Sequence, residues 1–184
     1  MNRKIGLEKG VLRVVPFCSD WPRFYEEEAK RIQQAIGKHI RDIQHFGSTA
    51  VPGMPAKPII DIAVGVDSLE AGETCIKPLE NIGYKYLWRS DQPRSHFFIK
   101  GNPKEYHLRI FEVRSPDWAR HIGFRDILRR DSRVARDYAK LKKELCERFG
   151  NDREAYQEGK TTFVESTLGH AGAEQVAPLD AARQ

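Results

Sequence analysis

Cysteine is scarce in this 184-residue chain. The three present, Cys18, Cys75 and Cys146, are far apart and odd in number, which fits neither a disulfide framework nor a zinc-finger spacing. Reduced thiols in a cytoplasmic protein are the expectation. Long apolar runs are missing too, and none approaches the ~20 residues of a membrane span. The basic residues near the N-terminus are not followed by an apolar stretch, so no signal peptide is expected. An arginine-rich arm and a repeating aromatic–basic pattern are both absent, and no internal repeat is visible. The net charge is +5, with 31 basic residues interspersed among 26 acidic ones. That distribution argues for a mixed-charge surface and against a nucleic-acid partner. An RNA-binding reading rests on the pI near 9.1 alone. An anionic small molecule is compatible with the same balance.

The composition, 40% hydrophobic and 31% charged, is that of one globular domain. A short strand is expected over residues 11–15. Asp20 then caps a helix opening on Trp21-Pro22, whose Phe24, Ala29, Ile32 and Ile36 follow helical spacing up to Gly37. Strands are expected over 40–46 and 58–66, the latter apolar enough to be buried on both faces. Ser68 caps a helix ending near Gly83, which Pro78 kinks or breaks. Residues 84–88, 96–100 and 106–113 read as three more strands, with Asp91-Gln92-Pro93 and Gly101-Asn102-Pro103 as turns.

Helix dominates from about residue 115. Val134, Tyr138, Leu141, Leu145 and Phe149 form one apolar stripe closed by Gly150. Asn151 and Glu154 form a capping box for a last helix. Residues 169–184 are Ala/Gly-rich without periodicity and read as a flexible tail. The sum is an α+β domain over residues 1–168. A mixed sheet of about five strands carries flanking helices and a helical C-terminal third.

The most informative stretch is the loop and strand from Gly47 to Val66. The loop offers backbone N–H groups, the Ser48 and Thr49 hydroxyls and Lys57, while Asp61 lies inside an otherwise apolar strand. A charge there costs several kcal/mol, about 3–5, unless it is paired, solvated in a cleft or bound to a cation. Asp61 is therefore either satisfied by Lys57, Arg109 or backbone donors, or it is a metal ligand or general base. Gly47, Ser48 and Thr49 suit a phosphate cradle, and equally a tight turn with a helix cap.

Gly47-Ser48-Thr49-Ala50-Val51-Pro52-Gly53, followed by Ala56-Lys57-Pro58-Ile59-Ile60-Asp61-Ile62, resembles the GrpB family, also called UPF0157. So do Tyr106-His107-Leu108-Arg109-Ile110-Phe111-Glu112, Phe124-Arg125-Asp126 and Asp152-Arg153-Glu154-Ala155-Tyr156. The resemblance covers residues 11–168 and implies a nucleotidyltransferase-like fold. Enzymes of that superfamily share a Gly-Ser step after one strand and Asp-x-Asp or Asp-x-Glu on the next. A third carboxylate comes from a later strand, and two metal ions bridge the carboxylates to a nucleoside triphosphate.

The resemblance implies that Gly47, Ser48 and Thr49 orient phosphates with Lys57, Arg109 and Arg125. Asp61 would hold Mg²⁺ or activate an acceptor, and His107 would act as acid or base. Two departures qualify this. Ala63 stands where the second carboxylate belongs, and His107-x-Arg109 replaces the His-x-His often found in the family. The first removes a metal ligand, and the second exchanges one for a permanent cation. Glu112 is a conceivable remote carboxylate, though it faces opposite to His107 and Arg109.

The expected function is thus binding of a nucleotide or other phosphorylated small molecule, with Mg²⁺-dependent nucleotidyl transfer if the site is catalytic. The alternative is a non-catalytic ligand- or partner-binding module that retains the fold. Convergence of His45, His96 and His107 on a transition metal is a further reading, without support from short-range spacing. His121, Arg125 and Arg129 form a stripe that reads as a solvated helix face.

Overall fold

The computed structural model describes residues 5–91, 93–150 and 152–176. Its centre is a five-stranded sheet of β1 (Asp42–Phe46), β2 (Ile60–Val66), β3 (Lys85–Asp91), β4 (Arg94–Lys100) and β5 (Tyr106–Glu112). The strand order is β1-β2-β5-β4-β3. β2 and β5 are parallel, and all other neighbours are antiparallel. A parallel pair requires a long crossover. Here it consists of α2 (Leu69–Glu73), α3 (Ile76–Asn81) and the β3–β4 hairpin.

One face of the sheet is covered by α1 (Trp21–Ile36) together with α2 and α3. Ile60, Ile62, Val64 and Val66 of β2 pack there with Phe98, Leu108 and Ile110. Trp21, Ile32, Ile36 and Leu79 close over them, and all are essentially removed from water. The opposite face is covered by α4 (Pro116–Arg130), α5 (Ser132–Phe149) and α6 (Arg153–Val176). Phe46, Ala63, Phe111 and Trp118 form its apolar floor. Phe124, Leu128, Tyr138 and Phe163 join the three helices. Ser115 caps α4 by accepting from Trp118 N–H, and Asp131 caps α5 by accepting from Arg133 and Val134.

The α+β class and the five strands agree with the sequence. Several local expectations are corrected. Residues 11–15 form no strand. Only Val15 bridges Ala56, and Pro16 directly after it lacks the N–H that another rung requires. β2 starts at Ile60, two residues beyond Pro58. The helix expected up to Gly83 is two short helices parted at Thr74–Cys75. Thr74 is four residues before Pro78, where the proline ring would strike a helical carbonyl. Asp20 occupies the N-cap position of α1 without a side-chain cap bond.

At the C-terminal end, Asn151 lies outside the described residues. The cap observed on α6 is Asp152, which accepts from Ala155 N–H at 3.1 Å. α6 runs on to Val176, beyond the expected domain end at 168, and residues 177–184 lie outside those described. Gln92, in the expected turn between β3 and β4, also lies outside the described residues.

Candidate functional site

Strand alternation sends Asp61 and Ala63 to the face under α4–α6. Register pairs Asp61 with His107 and Ala63 with Arg109 across the parallel β2–β5 ladder. All four therefore share one surface. In β2 only Asp61 is not fully buried. Its carboxylate Oδ1 accepts from His107 Nδ1 at 3.0 Å. Because an ionised carboxylate only accepts, this bond fixes the imidazole proton on Nδ1.

Gly47 makes the close approach of the loop to Asp61 feasible. Its φ is +69°, and an added Cβ would stand 2.7 Å from Asp61 Oδ2. A side chain is thus excluded by both the left-handed backbone and the contact. A short 3-10 turn, Ser48–Ala50, follows. It aims Ser48 at the open volume and Thr49 inward. The Thr49 hydroxyl meets His45 Nε2 at 3.0 Å and donates to the Ile59 carbonyl.

Between this sheet surface and α4–α6 lies a cavity of about 420 Å³. Ser48, Asp61, His107 and Arg109 border it, with Phe97, Phe124 and Tyr138 as aromatic wall. Asp61 is the one carboxylate among its described lining residues, against Arg109, Arg120, Arg125 and Lys160. A smaller cavity of about 140 Å³ adjoins it, sharing Ser48, Asp61, His107, Gln157 and Lys160, and adds Lys57, Lys142 and Tyr156.

The cations differ in what holds them. Arg109 donates to Ser95 Oγ at 2.8 Å, and its guanidinium lies 4.4 Å over the Phe97 ring. Burial pulls it below its ordinary pKa. Arg125 borders the cavity, but its guanidinium donates to Gln44 Oε1, the His45 carbonyl and Asp126. Arg120 is paired with Glu165. Lys57 and Lys160 place Nζ 4.4 and 4.6 Å over the Tyr156 ring. Lys142 donates to Ser48 Oγ at 2.9 Å and to the Pro55 carbonyl. Burial, reinforced by Lys160, brings Lys142 down to about 7. Burial and the nearby Lys57 bring Lys160 down to about 8.

The three histidines do not converge. His45 and His96 face α1–α3, whereas His107 faces the cavity. His45 stacks on Tyr25, and burial holds it near pKa 4. His96 meets the Leu69 carbonyl and the Tyr86 hydroxyl. No group of three or more His, Cys, Asp or Glu side chains is arranged to hold a metal among the described residues. The stripe of His121, Arg125 and Arg129 is also corrected. His121 and Arg125 face inward, His121 against Phe46 and Phe111, whereas Arg129 is exposed and donates to the Ala50 carbonyl. The charged groups of the stripe are satisfied by backbone and side-chain partners, which hydrophobic patterning cannot register.

Sequence reasoning missed Lys142, Tyr156, Gln157 and Lys160. One signal was present: Lys142 falls on the apolar stripe of α5, four residues after Tyr138 and three before Leu145. A lysine on a buried stripe requires a partner in the interior.

Mg²⁺ fits this donor set poorly. Ala63 offers nothing beside Asp61, and lysines occupy the surroundings. A two-metal clamp lacks its second carboxylate.

Comparison with known proteins agrees with this architecture. A model of the GrpB protein family matches residues 11–170. The Glutamate-rich protein GrpB of Alkalihalophilus pseudofirmus is 36% identical over 170 residues, covering 89% of this chain and 98% of that protein. A dephospho-CoA kinase of Mycolicibacterium paratuberculosis is 27% identical over 176 residues, covering 82% of this chain but 43% of the kinase. The crystal structure of conserved protein GrpB from Enterococcus faecalis superimposes with a TM-score of 0.80 at 28% identity, over 89% of this chain and 99% of that one. The Cid1 poly(U) polymerase with Mg 3'-dATP bound gives 0.53 at 11% identity, over 79% of this chain and 49% of Cid1, a likeness of fold alone. The fold is nucleotidyltransferase-like, and the chain belongs to the GrpB family.

Proposed function

We propose that the cavity under α4–α6 binds a phosphorylated small molecule of the nucleotide class. The observation that carries this reading is the charge of its lining: one carboxylate, held by His107, among Arg109, Lys160 and, in the adjoining cavity, Lys57. Arg109 and Lys160 are desolvated cations, and such groups gain from an anionic ligand. The aromatic wall of Phe97, Phe124 and Tyr138 suits the organic part. The Cid1 fold likeness and the relative named as a dephospho-CoA kinase, of which this chain spans 43%, support the same reading.

In this reading the larger cavity takes the organic moiety, and the smaller, lysine-lined one takes phosphate. Lys57 and Lys160 offset its charge there, with Arg109 at the border of the larger cavity, the role assigned to metal in two-metal enzymes. His107, held through Nδ1 by Asp61, has Nε2 left as a proton donor or acceptor for the ligand. Nucleotidyl transfer through a metal pair is not part of this reading, because Ala63 removes a ligand.

Thermal shift against nucleoside mono-, di- and triphosphates, with and without Mg²⁺, tests the proposal. A ligand at about 100 times its Kd adds roughly 2.7 kcal/mol, which is about 5–10 °C for a chain of this size. Stabilisation that persists without Mg²⁺ is expected. No shift with any phosphorylated compound would contradict the reading.

A further inference from the structure

Charge binding explains Lys57, Lys160 and Arg109 but not Lys142. A phosphate-binding lysine presents its ammonium to the ligand, whereas Lys142 is only 2% exposed. Its Nζ contacts Ser48 Oγ at 2.9 Å and the Pro55 carbonyl. Ser48 in turn borders both cavities, so its hydroxyl is where a bound molecule can reach it. The Tyr138 hydroxyl lies beside Ser48 as well. A hydroxyl held against a buried amine, with a third group anchoring the amine, is the arrangement of an activated nucleophile.

We infer that Ser48 is a nucleophile, that Lys142 is its general base, and that the electrophile is a phosphorus centre of the molecule bound in the cavity. The identity of the electrophile rests on the phosphate reading above; the nucleophile–base pair does not. In the step, Ser48 Oγ forms a bond to phosphorus. The hydroxyl proton passes to the neutral amine of Lys142. The bond from phosphorus to the leaving oxygen breaks, and its electron pair departs with that oxygen. The products are a phosphoester of Ser48 and an anionic leaving group, which Lys57 and Lys160 face.

Burial supports the base role independently of the contact geometry. It lowers Lys142 to about 7, so much of the amine is neutral at neutral pH. The charged and titratable groups around it are Asp61 on β2, His107 on β5, Lys57 after the loop, Tyr138 on its own helix, and Tyr156 and Lys160 on α6.

The test is labelling of the full chain with a fluorophosphonate, followed by intact-mass measurement and peptide mapping. Attack on this probe breaks the P–F bond and releases fluoride. One adduct at Ser48 is expected. Its rate should rise about tenfold from pH 6 to pH 8, following the neutral fraction of a base that titrates near 7. Ser48→Ala should take no label. Lys142→Gln keeps a donor for the Pro55 carbonyl but has no base, and should label about a hundredfold more slowly or less. If Lys142→Gln fails to fold, the wild-type pH profile decides alone. A pH-independent rate, or a folded wild type with no Ser48 adduct, overturns the pair. Labelling at Ser48 without stabilisation by any nucleotide would uphold the pair and overturn the phosphorus assignment of its substrate.

Discussion

Under α1–α3, the buried imidazoles and the buried carboxylate that meet the sheet's core have protein partners, and the Tyr84 hydroxyl is the buried polar group left without a hydrogen-bond partner among the described residues. His96 bonds the Leu69 carbonyl at 2.8 Å, and the buried carboxylate of Glu28 takes Lys100 at 2.7 Å. His45 is held neutral against Tyr25 and Thr49. Under α4–α6 the same sheet presents Asp61, His107 and Arg109 to open volume, with lysines facing them from the helices. Buried polarity that is internally satisfied serves the fold. Polarity of one sign that lines a cavity is costly until a ligand joins it, so the second face is where function is to be sought.

The contrast is broken most forcefully by Leu108→Ala, on the apolar face of β5. Leu108 is fully buried, and its truncation should cost about 2–5 kcal/mol of stability. Chemical denaturation would measure this. Gly47→Ala comes next. The left-handed backbone and the contact with Asp61 should together cost roughly 1–3 kcal/mol, read by the same melt. The variant should also lose ligand response, since the Gly47-Ser48 loop that borders both cavities is displaced.

Asp61→Asn inverts the pattern. It should leave the unfolding transition nearly in place and keep or strengthen ligand-induced stabilisation, because the cavity loses its one carboxylate, while slowing any turnover that relies on the His107 orientation, as followed by thermal shift and product assay. Equal turnover by this variant would remove Asp61 from the chemistry.

The gentlest probe is pH. Lys142 and Lys160 have folded pKa values near 7 and 8, below the 10.5 of an unfolded lysine. Between those values the unfolded chain binds more protons, so stability should rise with pH. The contribution is fully lost below about pH 7 and grows from there. Melting temperature should climb from pH 7 to 8.5, and Lys142→Gln should flatten the slope. An unchanged slope would show that Lys142 is not the desolvated group.

The apolar face was legible because alternation and helical spacing record burial directly. Ile60, Ile62 and Val64 in β2, and Ile32 and Ile36 in α1, follow those periods. Asp61 stood out for the opposite reason, as a charge that breaks an apolar run. His107 and Arg109 followed from the same alternation, but their register with Asp61 did not, because strand pairing joins residues 46 positions apart. The helical contribution was least visible. Lys160 looks like an ordinary surface lysine, and Lys142 differs from one only by its place on the apolar stripe, until α5 and α6 fold over the Gly47-Ser48 loop. The α4 stripe was misread at Arg125, which is buried through hydrogen bonds to Gln44 and the His45 carbonyl.

The most direct measurement is isothermal titration of a nucleoside triphosphate into the wild type and Lys160→Met, each with and without Mg²⁺. The account predicts binding to the wild type under both conditions. It also predicts affinity about 10- to 100-fold weaker in the variant, the loss of one charge-assisted contact. Binding that strictly requires Mg²⁺, or that is indifferent to Lys160, would contradict it.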